Sequence, residues 1–277
     1  MTAEPDPCVA FLQWALPRLD LRWPGFRRVR RQLCRRVGRR VAELGLPSLD
    51  AYREHLAAHP AEWEVLRSLT PVTISRFGRD RAVFAALAGE VLPALAEAAR
   101  AAGRDRLRAW SAACASGEEA YTLALLRDDV DVLATDVHPP VLARARAARY
   151  GASSLRELEP GIRARGFVPA AGGAWVVRPG VRRAVTVARH DLRDPPPDGP
   201  FDLVLCRNAA FTYFAPAAQR IVLDHLAAVL RPGGALVVGL HEDVSDPAGR
   251  FARWPGTRAV HRYVAGEPNA AQEDGRR

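Results

Sequence analysis

One short segment constrains the fold of this chain more than any other: WSAACASGEEAYTLALL at residues 110–126, followed by VDVLATDV at 130–137. An apolar run ending at Ser111 passes through a turn of small residues into a helical pattern that begins at Gly117. A second apolar run then ends in Asp136. A strand, a tight turn, a helix and a strand ending in an acid are typical of the first half of a nucleotide-type α/β unit. The segment therefore predicts a parallel sheet with a ligand site at its carboxyl end.

The residues of the turn indicate which ligand this site would bind. A dinucleotide-binding loop needs several glycines so that backbone N–H groups can approach a pyrophosphate, whereas this turn has one glycine followed by Glu118 and Glu119. Carboxylates at a helix start repel a phosphate but suit a ligand with an adenosine and a cationic end. Asp136 would bind the ribose diol and a glutamate the ammonium group, as S-adenosylmethionine requires. The alternative interpretation is structural, because the helix dipole alone favours acids at a helix N-terminus.

Composition excludes several classes of protein. The 277 residues are enough for one substantial domain and a smaller one. The net charge is +9, but all 40 basic residues are arginines, and this bias, with so much alanine, is more typical of codon composition than of a nucleic-acid-binding surface. No stretch reaches the roughly 18 apolar residues of a membrane span, and the N-terminus lacks the pattern of a secretory signal. We therefore expect a cytoplasmic protein without a membrane span, and we do not expect nucleic acid as its partner.

The cysteines and histidines give no sign of a cross-link or a metal. Cys8, Cys34, Cys114 and Cys206 are far apart in sequence and form no Cys-x-x-Cys pair. The seven histidines include no His-Glu-x-x-His motif. We therefore expect neither a disulfide nor a metal site.

The N-terminal part of the chain has helical patterns only, and its most distinctive segment is basic. Residues 27–40 read RRVRRQLCRRVGRR, and Val29, Leu33, Val37 and Val41 recur every four residues to form an apolar stripe. One interpretation is a packed helix with a solvated basic face. The other is a helix that docks an acidic partner, such as a helical protein substrate.

From Leu107 onward, short apolar runs alternate with helical patterns, which predicts a mostly parallel sheet with helices on both faces. The interval 150–183 interrupts this alternation and is interpreted as an insertion or small β-excursion. Residues 250–254 and 259–264 would close the sheet as an antiparallel edge pair. The predicted strands are residues 107–111, 130–136, 184–189, 201–206 and 234–240, and the predicted helices are residues 117–127, 139–149 and 216–230.

These patterns divide the chain into three parts. Residues 1–80 are predicted to form a small all-helical N-terminal domain. Residues 81–264 are predicted to form an α/β domain that contains the insertion at 150–183. Residues 265–277 have almost nothing to bury and are expected to be a disordered tail.

Polar residues follow the predicted strands at the points where they end, which is where ligands bind in open parallel sheets. Asp191 lies where an adenine amino group would need an acceptor, and Leu192 could pack on the base. Arg207 and Asn208 come directly after the apolar strand FDLVLC; the arginine could clamp a carboxylate and the asparagine could hydrogen-bond a ligand.

Taken together, these motifs resemble the CheR-type chemotaxis receptor glutamate methyltransferases. The resemblance rests on a basic helical N-terminal region ending in LTPVTISRFGRD, then AWSAACASGEEAY, ATDV, FDLVLCRN followed by TYF, and LRPGGALVVGLHE, in that order over residues 25–243. It implies a Rossmann-like methyltransferase sheet, S-adenosylmethionine as methyl donor, and a protein glutamate side chain as acceptor. The substrate would be a chemoreceptor-like protein in a signalling pathway.

The resemblance also implies which residues form the site. Arg79 and Tyr213 match the family's candidates for orienting the acceptor carboxylate, and no general base is needed because a glutamate is already ionised at neutral pH. The positions that match the family's donor-binding residues are Thr73, Ser75, Arg79, Glu119, Asp136, Asp191, Leu192, Arg207 and Asn208.

The chain departs from the family pattern at several points. Gly78 replaces a second aromatic residue, one additional residue precedes Tyr213, and Thr73 and Ser75 stand where asparagine and threonine are usual. Two alternatives to a protein glutamate methyltransferase are therefore open. One is an enzyme of the same fold that acts on a small molecule or a nucleic acid, and the other is a donor-binding regulatory module without turnover.

Overall fold

The structure of the chain is a computed structural model and describes residues 6–264. The Cα positions divide the chain into two compact units. The first consists of the residues up to Val72 together with Thr212–Gln219, and the second of Thr73–Phe211 together with the residues from Arg220 onward. The predicted tail, residues 265–277, lies outside the described residues.

The first unit is helical in its described residues. Local capping explains two of the helix starts: the Asp6 carboxylate accepts a hydrogen bond from the Cys8 N–H, and the Ser48 hydroxyl accepts one from the Ala51 N–H. The helices preceding Thr73 are α1 (Pro7–Ala15), α2 (Trp23–Phe26), α3 (Arg30–Glu43), α4 (Leu49–Ala58) and α5 (Glu62–Leu69), with a 3-10 turn at Leu16–Leu19.

The basic segment forms α3, and its apolar stripe is packed as expected. Leu33, Val37 and Val41 are buried in the helical core, and Val29 packs against that core. On the same helix, Arg40 donates to both oxygens of the buried Glu62 carboxylate, at 2.9 and 2.8 Å. These hydrogen bonds lower the pKa of Glu62. At least one arginine of residues 27–40 therefore makes its hydrogen bonds within the helical unit.

The expectation of no disulfide is wrong. Cys8 on α1 and Cys34 on α3 are joined by a disulfide, with Cα atoms 6.0 Å apart and a sequence separation of 26. Packing of the two helices in the same core brings the residues together, and sequence spacing alone gives no sign of this. Cys114 and Cys206 are buried and free.

The disulfide predicts a count of reactive thiols. Protein unfolded without reductant should react with a thiol reagent at two of its four cysteines, and at all four after reduction. Cys34→Ser should leave three reactive thiols without reductant, because it frees Cys8. Cys206→Ser is the matched control and should leave one. Four reactive thiols in carefully oxidised wild-type protein would contradict the pairing.

The second unit is built on two sheets. Within the described residues the strands are β1 (Leu107–Ala112), β2 (Val130–Asp136), β3 (Arg149–Gly151), β4 (Phe167–Ala170), β5 (Ala174–Val177), β6 (Val185–Arg189), β7 (Phe201–Leu205), β8 (Leu230–Val237), β9 (Phe251–Arg253) and β10 (Val260–Tyr263).

The larger sheet has seven strands within residues 6–264, in the order β6-β2-β1-β7-β8-β10-β9. The pairs from β6 to β8 are parallel, and β10 is antiparallel to both β8 and β9. The predicted α/β fold, with an antiparallel edge closing a mostly parallel sheet, is confirmed. The last parallel strand begins at Leu230 instead of residue 234, because a register shift between Phe201 and Leu203 lets the strand include Pro232 and Gly233.

Helices cover the larger sheet, and its apolar strand residues form the main core. The helix Arg81–Ala101 is long and apolar enough to cross a membrane by length and composition alone, but Leu87, Val91, Leu92 and Leu95 are buried in the core with the strands. In the described residues from Arg81 onward the helices are α6 (Arg81–Ala86), a π-helical turn (Leu87–Val91), α7 (Leu92–Ala101), α8 (Glu118–Leu126), α9 (Pro139–Ala147), α10 (Pro160–Gly166), α11 (Pro179–Arg183), α12 (Ala210–Tyr213) and α13 (Pro216–Val229).

The segment interpreted as an insertion forms the smaller sheet. In the described part of the chain this sheet is three-stranded and antiparallel, in the order β3-β5-β4. It has its own apolar cluster, in which Phe77 packs edge-on against Tyr150 and Phe167, with ring centroids 4.8 and 5.0 Å apart. The Tyr150 hydroxyl donates to the Ser116 carbonyl oxygen at 2.7 Å. The smaller sheet is thus bonded directly to the turn between β1 and α8.

Candidate active site

The turn after β1 has the tight geometry that its small residues predicted. Ala113, Ala115 and Gly117 all have positive φ angles, of 61°, 49° and 88°. A Cβ atom at Gly117 would lie 3.0 Å from the Ala145 Cβ atom, so a side chain has no room where α8 begins. The turn is therefore short, and α8 begins close to the carboxyl end of the sheet.

Asp136 closes this turn from the neighbouring strand. One carboxylate oxygen accepts a hydrogen bond from the Ala115 N–H at 3.0 Å, and the other accepts one from the His138 N–H at 3.0 Å. The side chain is held by these contacts at the carboxyl end of β2, and the residue is 7% exposed. Asp136 therefore lies beside the turn from β1, where the sequence pattern placed it.

A buried arginine organises the next part of the site. The Arg207 guanidinium, 2% exposed, donates to the Glu119 carboxylate at 2.9 Å and to the Asp80 carboxylate at 2.7 Å. It also donates to the Arg79 carbonyl oxygen at 3.0 Å. The second oxygen of Glu119 accepts a hydrogen bond from the Ser111 hydroxyl at 2.9 Å. Arg207 thus binds carboxylates of the protein itself.

The neighbouring Asn208 has an unusual backbone conformation, with φ of 53°. Its N–H donates to the Glu242 carboxylate at 2.8 Å. Its side-chain oxygen lies 3.5 Å from an Arg79 guanidinium nitrogen, and another nitrogen of that guanidinium donates to the Ile74 carbonyl oxygen at 2.8 Å. Arg79 and Asn208 are therefore neighbours, although 129 residues separate them in sequence.

Thr73 and Ser75 are partly buried on the segment that leads to Arg79. This segment is fastened to the α/β unit by Phe77, which is fully buried, and by the Gly78 N–H, which donates to the Thr122 hydroxyl at 3.2 Å. Gly78 has a φ of 63°, a conformation that suits glycine better than the aromatic residue it replaces. The departure at this position therefore has a local structural reason.

Asp191 and Leu192 follow β6. Arg193 makes a bidentate contact with the Asp191 carboxylate, at 2.9 and 2.5 Å. Burial raises the pKa of Asp191, but the hydrogen bonds from Arg193 outweigh burial, so the pKa is lowered and the group stays ionised. Leu192 is 6% exposed. Its carbonyl oxygen lies 3.2 Å from His225 Nδ1.

Tyr213 belongs to the helical unit. Its ring packs against Phe26 with centroids 4.9 Å apart, and its carbonyl oxygen accepts a hydrogen bond from the Arg22 N–H at 2.9 Å. The role of Tyr213 in catalysis stays a prediction from the resemblance.

Asp80 and Glu242 were not among the predicted site residues, and Glu118 was named only as an alternative to Glu119 for binding the ammonium group. Asp80 pairs with Arg207, and Glu242 binds the backbone at Asn208. Glu118 is 2% exposed, and its Oε2 has no hydrogen-bond partner among the described residues. Each of these acids lies inside or at the end of a sequence motif described above. A charged residue within a motif was therefore the signal by which the sequence could have identified them. Periodicity could not reveal the partner of each acid.

Two sequence comparisons decide the family of the chain. Residues 73–260 match the family model described as CheR methyltransferase, SAM binding domain, and residues 29–69 match that of the CheR methyltransferase all-alpha domain. The chain belongs to the CheR methyltransferase family. The predicted methyltransferase fold, the S-adenosylmethionine-dependent methyltransferase activity and the S-adenosylmethionine donor are thereby confirmed.

Relatives of this CheR methyltransferase agree with the assignment. A chemotaxis protein methyltransferase of Listeria monocytogenes is 33% identical over 78% of this chain and 83% of its own length. A probable chemotaxis protein methyltransferase of Rhizobium etli is 36% identical over 77% of this chain and 84% of its own length. An uncharacterized 104.1 kDa protein of Rhodobacter capsulatus is 34% identical over 87% of this chain, which spans only 28% of that protein.

The polar groups at the carboxyl end of the sheet fit the donor that the family uses. Asp136 and Glu119 supply carboxylate oxygens for hydroxyl and ammonium groups, and no cluster of glycines is present in the turn to hold a phosphate. In residues 6–264 no group of three or more His, Cys, Asp or Glu side chains could hold a metal ion.

Glu118→Gln is expected to raise the melting temperature at about pH 8. Burial raises the pKa of Glu118, so the folded state binds its proton more tightly than the unfolded state does. The stability from this carboxyl is therefore complete at low pH and is lost as pH rises through the folded-state pKa. The advantage of glutamine should shrink towards about pH 4, because below the ordinary glutamate pKa of about 4.3 the unfolded state also mostly binds the proton.

Thermal unfolding followed by circular dichroism at these two pH values measures the effect. Glu97→Gln, which removes an exposed carboxylate on α7, is the matched control and should shift the melting temperature little at either pH. A Glu118→Gln protein that is less stable than wild type at about pH 8 would show that the ionised carboxylate stabilises the fold.

Proposed function

We propose that this CheR methyltransferase transfers a methyl group to glutamate side chains of a chemoreceptor-like protein. The observation that carries the proposal is the placement of Asp136 at the end of β2 and of Glu119 in the first turn of α8, where Glu119 accepts a hydrogen bond from Ser111 of the neighbouring strand β1 and is fixed by a buried arginine. The names of the Listeria and Rhizobium relatives support chemotaxis as the pathway.

The donor would be held by groups from several strand ends. Asp136 would accept hydrogen bonds from the ribose hydroxyls, and Glu119 would bind the ammonium group. Asp191 would accept from the adenine amino group, and Leu192 would pack on the adenine ring. The remaining proposed donor-binding residues are Thr73, Ser75, Arg79, Arg207 and Asn208.

The charge around Arg207 supports a cationic donor. Asp80 and Glu119 contribute two negative charges and Arg207 contributes one positive charge, so the three groups have a net charge of −1. S-adenosylmethionine has a sulfonium and an ammonium group against one carboxylate, a net charge of +1. The low exposure of Arg207 strengthens this attraction, because charges interact more strongly away from water.

The transfer itself needs alignment more than acid–base chemistry. When bound, the donor supplies a methyl group on a positively charged sulfur. The acceptor glutamate is ionised at neutral pH because its ordinary pKa is about 4.3. Positioning and removal of water can contribute on the order of 7–11 kcal/mol to such a step. Arg79 is proposed to orient the acceptor carboxylate by charge, and Tyr213 is proposed to assist it.

The acceptor protein is proposed to dock on the basic helix α3. Arg36 and Arg40 are occupied within the helical unit, where Arg36 donates to the Leu69 and Pro71 carbonyl oxygens. Other arginines of residues 27–40 are exposed and positively charged: Arg27, Arg28, Arg30, Arg31, Arg35 and Arg39. An acidic receptor helix fits this surface by charge.

Asp136→Ala is expected to weaken donor binding by about 10- to 150-fold, because the ribose loses charge-assisted hydrogen bonds that contribute roughly 1.5–3 kcal/mol. Titration calorimetry with S-adenosylmethionine measures the loss. Asp131→Ala is the matched control, because Asp131 is an exposed aspartate on the same strand and pairs with Arg106. Unchanged affinity in Asp136→Ala would remove Asp136 from the donor site.

Reversing the charge of Arg35 and Arg39 to glutamate is expected to reduce methyl transfer to an acidic receptor fragment by tenfold or more, mainly through KM, because electrostatic steering is lost. Donor affinity should not change. The measurement is base-labile label transferred from labelled S-adenosylmethionine to the fragment, over a range of salt concentrations. The control reverses Arg100 and Arg253, which are exposed on the α/β unit.

The same assay separates the alternatives. Transfer that is equal in the α3 variant and wild type would refute α3 as the docking surface. Wild-type protein that binds the donor but methylates no receptor fragment would refute the proposed acceptor, and would favour a different acceptor or a regulatory module.

A further inference from the structure

We propose that Glu242 is a positioning residue that sets the conformation of Asn208 by linking the carboxyl ends of β7 and β8. Neither the family motifs nor the charge pattern assigned it a role in the site. The inference rests on the proposed function, because it takes Asn208 as a donor-binding residue.

Two hydrogen bonds of Glu242 come from backbone groups at two strand ends. Its Oε2 accepts a hydrogen bond from the Gly239 N–H at 2.6 Å and one from the Asn208 N–H at 2.8 Å. Gly239 follows β8 and Asn208 follows β7, and these strands are parallel neighbours. One carboxylate oxygen therefore joins the two strand ends just beyond the point where their ladder of hydrogen bonds stops.

The turn that carries Glu242 is shaped for this contact. The Glu242 N–H donates to the Gly239 carbonyl oxygen at 3.0 Å, which folds the side chain back over the turn. Glu242 is 7% exposed, whereas the two residues between it and Gly239 are exposed. A Cβ atom at position 239 would lie 2.8 Å from the Glu242 Oε2 and 3.1 Å from the Asn208 Oδ1, so a side chain there would displace these two groups.

Asn208 needs such support because its backbone is in the left-handed region, with φ of 53°. Residues other than glycine rarely adopt this conformation, although asparagine tolerates it better than most. The conformation directs the asparagine oxygen to 3.5 Å from the Arg79 guanidinium. A charge-assisted hydrogen bond to the Asn208 N–H is a strong way to hold it. Glu242 thus acts on the donor through Asn208 and does not itself need to touch the donor.

The test is a double-mutant cycle read as the Kd for S-adenosylmethionine by calorimetry. Asn208→Gly removes the side chain without straining the backbone, because glycine accepts a positive φ. We expect Glu242→Ala and Asn208→Gly each to weaken donor binding about tenfold or more. In the Asn208→Gly background, Glu242→Ala should cause little further loss, because no side chain is left to position.

Two further variants separate positioning from general stability. Glu242→Gln should bind the donor within about threefold of wild type, because its amide oxygen can still accept both N–H groups. Glu242→Asp keeps the charge but is one methylene shorter, and should reproduce the loss of the alanine variant. Asp243→Asn, at the exposed neighbouring position, is the control. Melting temperatures measured in parallel identify any variant that does not fold.

The outcomes are distinguishable from failure of the donor site itself. Losses from Glu242→Ala and Asn208→Gly that multiply in the double variant would overturn the positioning role, as would normal donor binding by a folded Glu242→Asp protein. Normal binding by Asn208→Gly would also overturn it, because Asn208 would then have no donor contact to position. Asp136→Ala still tests the donor site independently in every case.

Discussion

The arrangement of this site depends on one buried guanidinium. Arg207 joins Asp80, which precedes α6, to Glu119 in the first turn of α8, and does so from the end of β7. Removing one partner of a buried ion pair commonly costs about 3–5 kcal/mol, because the remaining charge is left without compensation. The three segments that approach the carboxyl end of the sheet therefore share one electrostatic centre, and the position of each carboxylate depends on the arginine.

This dependence explains why the acids near the site have different properties. Glu119 is held in place because its two carboxylate oxygens accept hydrogen bonds from Arg207 and from the Ser111 hydroxyl. For Glu118, its neighbour on the same helix, burial outweighs the hydrogen bond from Ser75 and the attraction of Arg144, so its pKa is raised. Asp191 is buried as well, but Arg193 lowers its pKa. Two buried carboxylates near the site thus have pKa shifts of opposite sign, and for Asp191 the bidentate arginine decides the direction.

The sequence predicted the parts of the structure that depend on local pattern. Strand alternation located β1, β2 and β7, and the acid at the end of β2 lies at the predicted sheet edge. The sequence could not predict which side chains contact each other, because these contacts depend on packing in three dimensions. Arg207 was expected to clamp a ligand carboxylate, and in the structure it binds carboxylates of the protein; Cys8 and Cys34 looked unrelated and are bonded. The contacts of Glu242 could not be predicted from the sequence for the same reason.

The hydrogen bond from Tyr150 to the Ser116 carbonyl oxygen has a consequence for the role of the small antiparallel sheet. Tyr150 belongs to the small antiparallel sheet, and Ser116 belongs to the turn that shapes the donor end of the site. The small sheet therefore supports that turn and is not structurally independent of it. A variant in which the whole sheet is replaced would lose this hydrogen bond, and the turn would need a new support.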